Sequence, residues 1–120
     1  MKTITFLILI GISSFSFDKD CSDAYSAADD AYSYAKKAYN SDSWDDSKTY
    51  LKKAMSSADD AMSYSSDCEC DDAYSAADDS YSYAKKGYNT DNWDDTKNYA
   101  KKAMNSADDT MSYADDCNNE

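Results

Sequence analysis

Beyond the first twenty residues, small and apolar side chains recur every third or fourth position, separated by Asp, Lys and Ser. Tyr25, Ala28, Tyr32, Ala35 and Tyr39 keep that step, as do Leu51, Met55, Ala58 and Met62. The spacing places each set on one face of an α-helix, and the alternation a strand requires is not sustained. With no Pro and only two Gly, the usual helix breakers are missing. The pattern predicts an all-α protein.

A longer period overlies the short one. Shifting the chain by 49 residues lays 21–68 on 70–117 with 36 of 48 positions identical, and brings both tryptophans and all four cysteines into register. Only Glu69 lies between the copies. Each copy is itself two related segments, since "AADDAYSY" at 27–34 returns as "SADDAMSY" at 57–64. Between the segments stand "NSDSWDD" and "NTDNWDD". Asn40 and Asn89 suit helix C-termini, Ser43 and Asn92 suit N-caps, and the Asp pairs that follow favour a first turn. The unit this predicts is an antiparallel helical hairpin with a short loop.

Cysteines bound each copy at both ends. Pairing Cys21 with Cys68 and Cys70 with Cys117 would tie the open mouth of each hairpin. Four cysteines allow three pairings; a Cys68–Cys70 bond would be a small strained ring, the third option crosses the copies, and sequence alone does not decide. The within-copy pairing sets a register in which facing residues sum to about 89 in the first copy. Ala28 then faces Ala61, Ala31 faces Ala58, Ala35 faces Ala54 and Ala38 faces Leu51. Small residues along such a seam let helices approach near ~8 Å. Large aliphatic and sulfur side chains after residue 20 are only Leu51, Met55, Met62, Met104 and Met111. The tyrosines are therefore expected to supply most of the buried apolar area, with the two hairpins meeting through a Tyr and Met face as a small four-helix array.

The first residues read differently. Lys2, the run "ITFLILIGI" and then "SSFSFDKD" fit a signal peptide over 1–16, with Ser14 and Ser16 at the cleavage positions and a short tail over 17–20. The run is short for a bilayer span of ~20 residues, and Asp18, Lys19 and Asp20 before Cys21 argue against a lipid anchor. Export, to the outside or to a periplasm, would put the cysteines in an oxidising compartment. The remainder carries 11 lysines against 24 acids, a net of −13. Such a charge repels nucleic acid and anionic lipid and favours cations; no membrane contact is expected once the leader is gone.

Candidate chemistry is sparse. The wide cysteine spacing in an exported chain fits structural disulfides better than zinc, and no C-x-x-C marks a redox centre. In the 89-sum register, Asp29 and Asp30 face Asp59 and Asp60, while Lys36 and Lys37 face Lys52 and Lys53; Asp78, Asp79, Asp108 and Asp109 repeat the acidic band. The acidic bands are solvated faces, or sites for Ca²⁺, although neither tip has the Gly turn and closing Glu of an EF-hand loop. Trp44 and Trp93 open the second helix of each hairpin, as plugs over the loop end or as anchors for a partner. Without His, Arg or a Gly-rich phosphate loop, catalysis has little basis. The unit is longer than a tetratricopeptide repeat and lacks its signature. The expectation is an exported, acidic, tyrosine-rich, non-catalytic binding or structural module with a protein or surface partner, no cofactor, and two alternatives: a Ca²⁺-responsive module, or a unit that self-assembles through its Asp and Lys bands.

Overall fold

The computed structural model describes residues 20–119; the leader read at 1–16 and the tail at 17–19 lie outside them. Four helices follow in order: α1 (Ser22–Asn40), α2 (Trp44–Asp67), α3 (Asp71–Asn89) and α4 (Trp93–Asn118). Each packs along its length against its sequence neighbours, α1 closes the ring against α4, and the diagonal pairs barely touch. The result is an up-down-up-down four-helix bundle.

Local chemistry explains the ends. At the start of α2 the Ser43 hydroxyl accepts from the Asp46 N–H at 3.3 Å, and at the start of α4 the Asn92 side chain accepts from the Asp95 N–H at 3.1 Å. Asp45, Asp46, Asp94 and Asp95 then sit in first turns, where the helix dipole favours carboxylates. The Cys21 N–H is taken by the Asn118 side chain, so the last turn of α4 caps the first of α1.

Both disulfides are formed within copies, Cys21–Cys68 and Cys70–Cys117, and no cysteine is free. Between them the chain reverses in a Schellman turn. The Glu69 N–H donates to the Ser66 carbonyl at 3.1 Å, the Cys70 N–H to the Ser65 carbonyl at 2.9 Å, and Glu69 takes φ 58°.

The buried positions correct one expectation. They are alanines, not tyrosines: Ala24, Ala28, Ala31, Ala35 and Ala38 on α1, and their counterparts on the other helices. One residue from each helix forms each layer, and the 89-sum register holds through five successive layers, from 24/65/73/114 to 38/51/87/100. Fifteen of those twenty residues are alanine. The hairpin seams are the alanine ladders expected above; the fully buried contact between hairpins is alanine too, not the expected Tyr and Met face, and Tyr and Met pack against it only partly buried. The physical reason is spacing. Alanine layers draw the axes together, and rings cannot enter a core that narrow. Tyr32, Tyr34, Tyr39 and Tyr50 instead lie half-buried over the seams, and Tyr25, Tyr64, Tyr74 and Tyr113 are exposed.

Within each helix the residues that form the layers step by three and four, a period of seven, with Ala27 and Ala76 buried beside them. That repeat is characteristic of coiled-coil packing and implies a left-handed supercoil. The layer 38/51/87/100 departs from alanine twice, and the departures compensate. Leu51 fills the centre where Gly87 leaves room: a Cβ on Gly87 would stand 2.8 Å from Leu51 Cδ1. In the other copy these places are Ala38 and Ala100.

Candidate functional site

With the interior filled by methyl groups, every chemically interesting side chain lies outside or at the two ends. At the mouth the four cysteines form the terminal layer. The sulfurs of Cys21, Cys70 and Cys117 all lie within 4.8 Å of one another, so the disulfides of the two hairpins abut. Among the described residues this is the sole close cluster of three or more metal-ligating side chains. All four thiols are engaged in disulfides.

Asp29, Asp30, Asp59, Asp60, Asp78, Asp79, Asp108 and Asp109 are all exposed. They ring the bundle at the level of layers 28 and 31 but bring no three carboxylates within ligand distance. The Asp20 carboxyl is held below the usual range because the Ser22 hydroxyl and then the Ser22 N–H donate to it, at 2.6 and 2.9 Å.

Trp44 and Trp93 meet at the opposite end. Their rings contact edge to face with centroids 6.4 Å apart, and the Trp44 indole N–H donates to Thr96 Oγ1 at 3.1 Å. Thr96 and its counterpart Ser47 are buried and reach back to the preceding helix, donating to the Gly87 and Ala38 carbonyls at 3.0 and 2.7 Å. The two indoles thus close the loop end together. Lys48 and Lys97 lie over them at 4.8 and 5.3 Å.

Between the aspartate ring and the tryptophans lies the basic band expected from the register, and with it a pairing of lysine with tyrosine that the band alone does not reveal. Lys36, Lys37, Lys52, Lys53, and Lys85, Lys86, Lys101, Lys102 form an exposed belt around all four helices. On the α1/α2 face, Lys37 Nζ lies 5.6 Å from the Tyr34 ring centroid and 5.9 Å from that of Tyr50, while Lys53 Nζ lies 5.7 and 6.0 Å from the same two rings. On the α3/α4 face, Lys86 lies over Tyr83 at 5.7 Å, and Lys102 over Tyr83 and Tyr99 at 5.7 and 5.8 Å. Tyr83 and Tyr99 are stacked at 6.4 Å. The signal was present as a word, "YAKK" or "YLKK", found once per helix; its Tyr and second Lys are three apart and share a helix face.

Beside each cluster runs an open groove. One, of about 610 Å³, is lined by Lys36, Lys37, Asn40, Ser41, Asp46 and Tyr50 among others. The second, of about 510 Å³, is lined by Lys85, Lys86, Asn89, Thr90, Asp95 and Tyr99, the same positions shifted by 49. No described helix is long and apolar enough to cross a membrane. Compared with family models, curated proteins and solved structures, the chain matches none.

Proposed function

We infer that the chain is an exported, acidic, non-catalytic binding module: a rigid four-helix rod whose work is done by side chains displayed on its outside. The observation that carries this reading is the division of labour along each helix. Alanine occupies the layers, which leaves tyrosine, lysine and aspartate in register on the surface, repeated on both hairpins. Two disulfides suit an oxidising compartment, and the leader-like start agrees with export.

Self-assembly through the charge bands gains little. An antiparallel pair that set each lysine belt against the partner's aspartate ring would also bring each tip, with Asp45, Asp46, Asp94 and Asp95, against the partner's mouth, with Asp67, Asp71, Asp72 and Asp116. Two attractive bands are offset by two repulsive ones.

The test is to recover the chain from an exporting host and screen the oxidised protein against arrays of extracellular glycans and proteins. Saturable binding by the folded protein, abolished by reduction and unfolding, is the expected result. Turnover of members of a hydrolase or transferase substrate panel would overturn the reading.

A further inference from the structure

We propose that the lysine pairs Lys37/Lys53 and Lys86/Lys102 are two equivalent seats, on opposite faces of the rod, for the carboxylate or sulfate groups of an acidic carbohydrate. The proposal rests on the binding-module reading above and names its ligand class.

Like charges are costly to bring together, yet on the α1/α2 face two ammonium groups lie within 6.0 Å of the same two tyrosine rings. The negative faces of the rings offset part of that repulsion. An oxyanion shared by the two ammoniums offsets the rest through charge-assisted hydrogen bonds. On the α3/α4 face Lys86 and Lys102 both lie over Tyr83, and Lys102 also over Tyr99, which stacks on Tyr83.

The adjoining groove selects among anions. Tyr50 contributes its ring, Asn40 an amide, Ser41 a hydroxyl and Asp46 a carboxylate acceptor, next to Lys36 and Lys37. That set suits a ligand with hydroxyl donors beside its charge: sugar hydroxyls donate to Asp46 and Asn40, the pyranose lies against the ring, and the acidic substituent reaches the lysines. The Asp42 and Asp46 carboxylates in the same groove disfavour a ligand of dense linear charge such as nucleic acid. One groove lies between α1 and α2 and its equivalent between α3 and α4, so a single rod would hold two chains at once.

Titration calorimetry on the oxidised protein would use a uronic-acid oligosaccharide and a sulfated oligosaccharide, with a neutral oligosaccharide, inorganic sulfate and a poly-aspartate peptide as comparisons. The expected result is two equivalent sites for at least one acidic oligosaccharide, at least ten-fold tighter than any comparison. Lys37→Gln with Lys53→Gln leaves one site, and adding Lys86→Gln with Lys102→Gln leaves none. These side chains are exposed, so helix content and melting temperature serve as the folding control. Absence of saturable binding, unchanged stoichiometry in the four-lysine variant, or equal affinity for the neutral sugar, sulfate or poly-aspartate overturns the proposal. An array ligand bound equally by wild type and the four-lysine variant overturns the seats while leaving the binding-module reading in place.

Discussion

Ser65 is buried in the layer next to the disulfides, and its hydroxyl has no hydrogen-bond partner among the described residues. The matching residue of the second copy is Ala114, also buried, which shows that the layer accepts a methyl group there. Leaving a hydroxyl desolvated and unpaired costs about 1–3 kcal/mol. Ser65→Ala is therefore expected to raise stability by about 1 kcal/mol, read as a higher melting temperature or denaturant midpoint. The two other layer hydroxyls with room to donate do so: Ser80 to the Ala103 carbonyl at 3.0 Å and Thr110 to that of Ser106 at 2.8 Å. Glu69 offers a second residue-scale test. Its φ of 58° lies in the left-handed region, where a side chain costs roughly 1–2 kcal/mol, and the Schellman turn it closes ordinarily uses glycine. Glu69→Gly removes that cost, returns part of the gain as chain entropy and gives up the side chain's own interaction, so a rise of at most ~0.5–1 kcal/mol is expected for the oxidised protein in chemical denaturation. A fall in stability would mean that the Glu69 side chain contributes more than its backbone costs.

At the scale of helices, the compensation between Leu51 and Gly87 decides which hairpin faces meet. Leu51→Ala empties the centre of its layer and is expected to cost about 2–3 kcal/mol. Gly87→Ala gains helix propensity of ~1 kcal/mol but drives a Cβ to 2.8 Å from Leu51 Cδ1 and 3.1 Å from Tyr99 Cβ, and overpacking of this kind costs ~1–3 kcal/mol. Combined, the two changes make an all-alanine layer. The penalty of Gly87→Ala should shrink or reverse in the Leu51→Ala background, a coupling of ~1 kcal/mol or more in a double-mutant cycle. Additive effects would show that the two positions do not share a cavity. The helix ends and the hairpin register were legible in the sequence because they depend on single residues with strong local rules: Ser43 and Asn92 as caps, and cysteines whose spacing fixes the sum of 89. The core stripe was harder to read. Tyrosine and alanine both fall at helical spacing, and area alone favours the larger residue, whereas alanine wins by allowing close helix approach that rings prevent. The unbroken three-and-four alternation of small residues from Ala24 to Ala38 was the available signal. The lysine and tyrosine clusters were hidden for a different reason. Each draws on two helices, and the 89-sum register sets Tyr34 level with Met55 and not with Tyr50, so the pairing emerges only from the reach of Lys37 and Lys53 to both rings.

For the whole molecule, the two disulfides and the single residue between them determine what a broken backbone would do. A cut in the tip loop at 41–43 leaves its two pieces joined through Cys21–Cys68, and a cut at 90–92 leaves them joined through Cys70–Cys117. Either nicked product remains one covalent molecule. The peptide following Glu69 is different, because no disulfide spans it. Glu69 and Glu120 are the only glutamates in the chain, and Glu69 is exposed, so a glutamyl endopeptidase is expected to divide the oxidised protein into two closed hairpins. Mass spectrometry under denaturing, non-reducing conditions should then give two species, while native sizing gives one, held by the alanine layers, the Trp44 contacts with Trp93 and Thr96, and the Cys21–Asn118 hydrogen bond. Its melting temperature should begin to depend on protein concentration, since unfolding now releases two molecules. In an environment rich in proteases, the rod would survive damage at either tip as an intact covalent object, and its two halves can be parted only at the two peptide bonds that flank the exposed Glu69.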